Sequence, residues 1–151
     1  MLKNVPKLLT GDILKVLCDM GHDDVLIIAD ANFPGESISK YTSYGKLIRL
    51  PGKSSVEIYE AVNDLFPADF GYTEFPVCVM ALTDGDKAKG MPEPEIWEEF
   101  RKIMHKDAPG AALGEIERFE FYERAKKAYA VIQSGEERQY GNLLIVKGCV
   151  V

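Results

Sequence analysis

A histidine and two aspartates are the residues of this sequence whose types best suit proton transfer and hydroxyl binding. His22 follows Gly21, and a histidine can donate and accept protons near neutral pH. Asp30 ends the apolar run 25–29, and in α/β sheets ligands collect beyond the carboxyl ends of strands. Asp69 precedes a run of aromatic residues that suits a sugar pocket. Each has an ordinary alternative, because a histidine also interacts with a helix C-terminus and aspartates also form caps and turns.

Two further segments carry polar groups that suit a ligand. Arg118 either binds a ligand hydroxyl or pairs with a neighbouring carboxylate. The tripeptide Tyr140-Gly141-Asn142 offers a phenol, an amide and an unobstructed backbone N–H, although a turn that enters the last strand explains it equally well. Taken alone, these residues indicate only a small polar ligand site that contains a histidine and carboxylates.

The elements that must position these residues alternate between helical and strand-like patterns. Thr10 is a candidate N-cap, and Ser54 and Glu57 have the spacing of a capping box. Residues 69–75 and 84–91 are predicted loops. Strands are predicted at 25–29, 46–50, 77–82, 115–119, 129–133 and 143–146, and helices at 10–20, 54–66, 94–104 and 121–128. The pattern predicts one α/β domain with a mixed or mostly parallel central sheet and helices on both faces.

Composition excludes several classes of function. The 151 residues carry a net charge of −6, which argues against a nucleic-acid partner. No apolar run approaches the roughly 20 residues that a membrane helix needs, so no membrane contact is expected. Three widely spaced cysteines predict free thiols and a cytoplasmic protein. No nucleotide-binding or metal-binding motif occurs, so we expect neither a cofactor nor a metal.

Three blocks of the chain, in the same order, resemble one known family. The first joins Met20-Gly-His-Asp-Asp to Asp30-Ala-Asn-Phe-Pro. The second is Ile116-Glu-Arg-Phe-Glu-Phe-Tyr-Glu-Arg-Ala-Lys-Lys-Ala-Tyr-Ala-Val, and the third is Tyr140-Gly-Asn-Leu-Leu-Ile-Val-Lys-Gly. The sequence is similar over nearly its whole length to the L-fucose mutarotases and D-ribose pyranases. Arg118 and the Phe-x-Phe-Tyr that follows it favour the fucose branch, because the ribose branch carries a histidine near this position.

The resemblance implies a sugar mutarotase, an isomerase that interconverts the α and β anomers of L-fucose without a cofactor. It implies one domain over residues 1–151. His22 matches the family's proton donor. The catalytic set implied by the resemblance is His22, Asp69 and Tyr140, and the substrate-binding set is Asp30, Met80, Arg118, Tyr122, Tyr140, Gly141 and Asn142. Phe33 and Met80 form an apolar strip that suits the C–H face of a sugar or the methyl group of fucose.

The resemblance also implies an oligomer. Family members form rings, the bacterial ones commonly decamers of two pentamers, with sites at subunit contacts. Whether Tyr140 acts within its own subunit or from a neighbour stays open at this point. Two other functions also stay open: a D-ribose pyranase, which uses the same ring opening, and a monosaccharide-binding protein that performs no catalysis.

Overall fold

The apolar run that follows His22 forms the middle of a six-stranded sheet. The computed structural model describes residues 2–151, and the sheet has the strand order β2-β5-β1-β6-β3-β4. The strands are β1 (Val25–Ala29), β2 (Leu47–Leu50), β3 (Val77–Met80), β4 (Gly114–Ile116), β5 (Ala130–Ser134) and β6 (Leu143–Val146). The helices are α1 (Gly11–Asp19), α2 (Gly35–Ser39), α3 (Ser55–Asn63), α4 (Asp84–Ala88), α5 (Glu95–Met104) and α6 (Arg118–Lys126).

The sheet is mixed, as the sequence predicts. β1 pairs in parallel with β5 and antiparallel with β6. β2 continues the parallel arrangement on β5, while β3 pairs antiparallel with β6 and in parallel with β4. Because Ile28 lies opposite Leu143, the carboxyl end of β1 meets the beginning of β6. This register brings Asp30 and Asn142 to the same edge of the sheet.

Helices cover both faces of the sheet, which confirms the predicted layering. Leu26 and Ile28 point into the larger apolar cluster, which α1, α3 and α5 complete. Ile27 and Ala29 point the other way, into a smaller cluster that also holds buried residues of α2 and α6. Burial on both faces explains why β1 is an unbroken apolar run instead of an alternating one.

Local capping chemistry begins two helices where the sequence predicts. The Thr10 side chain accepts a hydrogen bond from the backbone N–H of Ile13. Ser54 and Glu57 form a complete capping box, in which the Glu57 N–H donates to Ser54 Oγ over 3.1 Å and the Ser54 N–H donates to the Glu57 carboxylate over 2.9 Å. These caps satisfy N–H groups that have no partner within the helix.

Two local predictions are wrong, and one helix is missing from the predicted elements. Residues 84–91 are not all loop, because Thr83 caps the short helix α4. The strand predicted at 115–119 ends at Ile116, since the Glu117 carboxylate accepts the N–H groups of Phe119 and Glu120 and thereby starts α6 at Arg118. Helix α2, in the segment that follows β1, was not predicted at all.

No helix in residues 2–151 combines the length and apolarity needed to cross a membrane.

Candidate functional site

An open pocket of about 590 Å³ lies at the carboxyl end of β1. This volume falls in the range of small-molecule sites, and the position follows the rule that ligands bind beyond the carboxyl ends of strands. The pocket is lined by Asp30, Asn32, Phe33, Met80, Thr83, Asp86, Arg118, Tyr122, Gln139, Tyr140 and Asn142. The structure therefore brings together most of the substrate-binding residues named from the sequence.

A buried pair of side chains, Asp30 and Asn142, forms the floor of the pocket. The Asn142 amide Nδ2 donates to Asp30 Oδ2 over 2.7 Å, and the Asp30 backbone N–H donates to Asn142 Oδ1 over 2.8 Å. Burial raises the pKa of the Asp30 carboxyl, and the hydrogen bonds from Asn32 and Asn142 oppose that rise. The carboxylate oxygens keep lone pairs that can accept the hydroxyl groups of a ligand.

The loop after β1 is held in place by one amide side chain. Gln133 Nε2 donates to the carbonyl oxygens of Asp30 and Phe33 over 3.2 and 2.9 Å. The Phe33 ring packs edge-on against Tyr122, with centroids 5.6 Å apart. Buried Met80 lies on the same side and gives the pocket an apolar wall. The pocket therefore has both a hydrogen-bonding side and an apolar side.

Tyr140 reaches the pocket from a strained backbone conformation. Its φ of 61° is left-handed, which costs a residue with a side chain about 1–2 kcal/mol. Trp97 Nε1 donates to the Tyr140 carbonyl over 3.1 Å and helps to hold this conformation. The next residue is a glycine in a tight space, because a Cβ on Gly141 would lie 2.7 Å from Glu136 Cγ and force that side chain to shift. Backbone strain of this kind is typical of functional sites.

Arg118 stands at the beginning of α6 with its guanidinium free of ion pairs. No carboxylate within residues 2–151 lies within 4.0 Å of it, because neighbouring Glu117 caps the helix instead. The guanidinium packs 4.7 Å from the centroid of the Phe119 ring. Of the two sequence-based alternatives, the structure therefore leaves Arg118 available to a ligand at the pocket rim.

His22 and Asp69 form a pair of their own. His22 Nε2 lies 3.4 Å from Asp69 Oδ2, and the imidazole is 43% exposed while Asp69 is buried. Thr73 Oγ1 donates to the same carboxylate oxygen over 2.6 Å. This hydrogen bond, together with His22, holds the pKa of Asp69 below its ordinary value. An ionised Asp69 can therefore orient the imidazole. Tyr72, largely exposed, stands edge-on beside His22 at 5.4 Å.

Within one chain, the structure does not place the histidine beside the residues that line the pocket. His22 precedes β1 and Asp30 follows it. Five strand residues at about 3.3 Å each separate the two ends by about 16 Å. Within one chain, therefore, the pair of His22 and Asp69 does not meet Asp30, Arg118 or Tyr140.

Four residues of the pocket lining are not among those predicted from the sequence: Asn32, Thr83, Asp86 and Gln139. A signal for two of them was present, because Thr83 and Asp86 have the spacing of a helix N-cap followed by an acidic residue. Within the part of the chain that the structure describes, no three His, Cys, Asp or Glu side chains cluster to hold a metal ion.

The fold is a single α/β domain, and its pocket combines hydrogen-bonding groups with an apolar wall. The chain belongs to the RbsD / FucU transport protein family, whose model matches residues 3–150. A fucose mutarotase from Homo sapiens is 45% identical over 147 residues, which cover 97% of this chain and 93% of the relative.

Two solved structures share this fold at substantial identity. One is FucU from Bifidobacterium longum, with a TM-score of 0.88 and 41% identity, covering 97% of this chain and 99% of that one. The other is the fucose mutarotase from Streptococcus pneumoniae in complex with L-fucose, with a TM-score of 0.85 and 35% identity, covering 99% and 100%.

Proposed function

We propose that this protein is a sugar mutarotase, an isomerase that interconverts the α and β anomers of L-fucose. The observation that carries the proposal is the division of the pocket into two sides. Asp30, Asn142 and Arg118 suit the ring hydroxyls, while Phe33 and Met80 suit an apolar surface of the ligand. L-Fucose offers both, because its C6 is a methyl group. The fucose mutarotases among the relatives support the same substrate.

The reaction needs acid–base chemistry at two oxygen atoms. The cyclic hemiacetal opens when the ring oxygen gains a proton and the anomeric hydroxyl loses one, and closure after rotation gives the other anomer. Positioned acid and base groups contribute about 10²–10⁴-fold to such proton transfers. We assign the acid to His22, oriented by Asp69, and an accepting role at the pocket to Tyr140. Tyr122 and the Gly141 backbone complete the substrate-binding set. Neither a metal nor a cofactor is required.

A complete site in this account needs two copies of the chain. The pocket is not lined by His22, which precedes β1, whereas Asp30 follows that strand. The imidazole is 43% exposed and has the exposed ring of Tyr72 beside it, so both are available to a neighbouring copy. We therefore propose a homo-oligomer, a decamer of two pentameric rings, in which His22 of one copy faces the pocket of another.

The free thiols support a cytoplasmic location as part of the proposal. Cys18 and Cys149 are exposed and Cys78 is buried, and all three are unpaired within the described residues. Unpaired cysteines persist in reducing compartments, where disulfides rarely form.

Saturation-transfer NMR on equilibrated sugar solutions tests the activity. Saturating the α-anomer signal of L-fucose should reduce the β-anomer signal only when the protein is present. A parallel sample of D-ribose tests the pyranase alternative. Ligand line broadening without transfer for either sugar would refute catalysis and leave a monosaccharide-binding protein.

Mixing two inactive variants tests the shared site. His22→Ala keeps the pocket and Asp30→Ala keeps the histidine, so co-refolding them in equal amounts should restore about a quarter of the wild-type sites. No recovery in the mixture would refute a site shared between copies. Light scattering measures the assembly, and a decamer has about ten times the 16.8 kDa mass of one chain.

A further inference from the structure

Helix α4 places a carboxylate against the phenol of Tyr140. The Tyr140 hydroxyl donates a hydrogen bond to Asp86 Oδ2. Thr83 Oγ1 donates to the same carboxylate oxygen over 2.9 Å, and the Asp86 backbone N–H donates to Thr83 Oγ1 over 3.2 Å. Asp86 is thus fixed by the cap of its own helix, and its position does not depend on a ligand.

The numbers of donors and acceptors on the Tyr140 hydroxyl determine which hydrogen bonds it can form with a ligand. A tyrosine hydroxyl has one hydrogen to donate and two lone pairs that accept. The hydrogen is directed at Asp86, and the Thr83 backbone N–H donates to the phenol oxygen over 3.2 Å. One lone pair remains for the pocket, so towards a ligand the phenol can act only as an acceptor.

We propose that Asp86 is a positioning residue that fixes the Tyr140 phenol as the hydrogen-bond acceptor for a sugar hydroxyl. The inference rests on the proposed function, since it concerns the same site and reaction. Hydrogen bonding to an ionised carboxylate draws the phenol proton away from its oxygen, which makes that oxygen a stronger acceptor. When the phenol oxygen takes the proton of the sugar hydroxyl, the phenol's own proton can pass to the Asp86 carboxylate, so the phenol stays neutral.

The surroundings of Asp86 keep its carboxylate ionised. The hydrogen bonds from Tyr140 and Thr83 lower the pKa of Asp86, and the positive charges of Lys89 and Arg118 act in the same direction. Lys89 lies 4.0 Å from the other carboxylate oxygen, and Arg118 lines the same pocket as Asp86. The side chain is partly exposed at the pocket wall, where a sugar can lie beside Tyr140 without displacing it.

A double-mutant cycle between Asp86 and Tyr140 tests the proposal. In Asp86→Asn the new amide can donate to the phenol oxygen, which turns the phenol hydrogen towards the ligand and removes the acceptor. Measured by saturation transfer with L-fucose, kcat should fall about 10- to 100-fold in Asp86→Asn and in Tyr140→Phe, with KM changed by less than about 3-fold. The double variant should be no slower than Tyr140→Phe, because Asp86 acts through the phenol.

Two further variants separate positioning from a structural role. Asp84→Asn removes an exposed charge from the same helix, outside the pocket, and should keep kcat within about 2-fold. Asp86→Glu keeps the charge and should recover part of the loss. Two results would overturn the proposal. In one, the fold-losses of kcat in Asp86→Asn and Tyr140→Phe multiply in the double variant, and in the other, Asp86→Asn keeps the wild-type kcat.

The proposed function can fail separately. If the wild-type protein exchanged no anomers, the same cycle measured on the dissociation constant for L-fucose would decide. Losses of affinity that are small, equal and do not multiply in the double variant would support the positioning of Tyr140 by Asp86, and independent losses would overturn it.

Discussion

Replacing Asn142 with aspartate should destabilise the protein in a strongly pH-dependent way. The amide nitrogen of Asn142 donates to the buried Asp30 carboxylate over 2.7 Å. Asparagine and aspartate have the same shape, so the substitution exchanges this donor for an acidic oxygen without opening a cavity. Two carboxylates then lie side by side in a buried position, because Asp30 and Asn142 are each only 4% exposed in the native protein.

The size of the effect follows from that distance. Two full charges about 2.7 Å apart repel by about 6 kcal/mol at an effective dielectric constant of 20. The pair limits the penalty by binding one proton, which restores a hydrogen bond between the two side chains. Holding that proton at pH 7, against an ordinary aspartate pKa of about 3.9, costs about 4 kcal/mol.

Lower pH should relieve the penalty. The folded variant binds a proton that the unfolded chain lacks, so its stability falls as pH rises and recovers as pH falls. At pH 5 the same reasoning leaves a penalty of about 1.5 kcal/mol. The gap between wild type and Asn142→Asp should therefore shrink by more than half between pH 7 and pH 5.

Urea unfolding at fixed protein concentration measures the gap at both pH values. Asn63→Asp is a matched control, because the Asn63 amide also donates to an aspartate, Asp107, over 2.7 Å but at an exposed position. The loss of unfolding free energy in Asn63→Asp should stay within about 1 kcal/mol. The reasoning would be refuted if the free energy of unfolding of Asn142→Asp lay within about 1 kcal/mol of the wild-type value at pH 7. It would also be refuted if the difference between the two proteins did not narrow at pH 5.

Three other changes test separate parts of the account. Gly141→Ala places a Cβ 2.7 Å from Glu136 Cγ and should lower the free energy of unfolding by about 1–3 kcal/mol in urea. Gln133→Leu removes the donor that holds the loop after β1, and it should lower stability by about 1–3 kcal/mol and weaken L-fucose binding in an NMR titration. Asp69→Asn should lower the melting temperature more at pH 7 than at pH 3, because the lowered pKa of Asp69 stabilises the fold above the ordinary aspartate pKa and this contribution is lost as pH falls.

Each of these predictions has a result that contradicts it. Gly52→Ala is the control for Gly141→Ala, because a Cβ on Gly52 has no atom within 4 Å. Equal losses of unfolding free energy in the two variants would contradict the packing argument. Unchanged fucose affinity in Gln133→Leu would show that the loop keeps its position without that amide. A melting-temperature gap for Asp69→Asn that is the same at pH 3 and pH 7 would contradict the low pKa of Asp69.

The sequence was most informative where apolar patterns are long. β1 and β6 lie where their apolar runs predict them, because burial on both faces leaves a plain signal. Helix α4 has five residues, none of them buried, so it produces no apolar periodicity and only the spacing of Thr83 and Asp86 marks it. The strand predicted through Phe119 failed because the Glu117 cap starts a helix among residues that also favour strands.

The sequence predicted which residues belong to the site but not how they are arranged in space. The polar set at the pocket comes from segments that are far apart in sequence, and strand pairing brings Asp30 to Asn142. The separation of His22 from Asp30 was already implied by the strand between them, since five residues in extended conformation cannot bring their two ends together. The contact between Asp86 and Tyr140 could not be predicted, because it depends on how α4 packs beside the segment that precedes β6.

The dependence of anomer exchange on His22 tests the central claim most directly. His22→Gln removes the imidazole and keeps a polar side chain. His105→Gln is the control, because His105 lies outside the pocket and its Nε2 is 2.9 Å from the carbonyl oxygen of Ala111. In saturation-transfer NMR with L-fucose, exchange should persist in His105→Gln and fall about 10²-fold or more in His22→Gln. Wild-type exchange in His22→Gln would contradict the account.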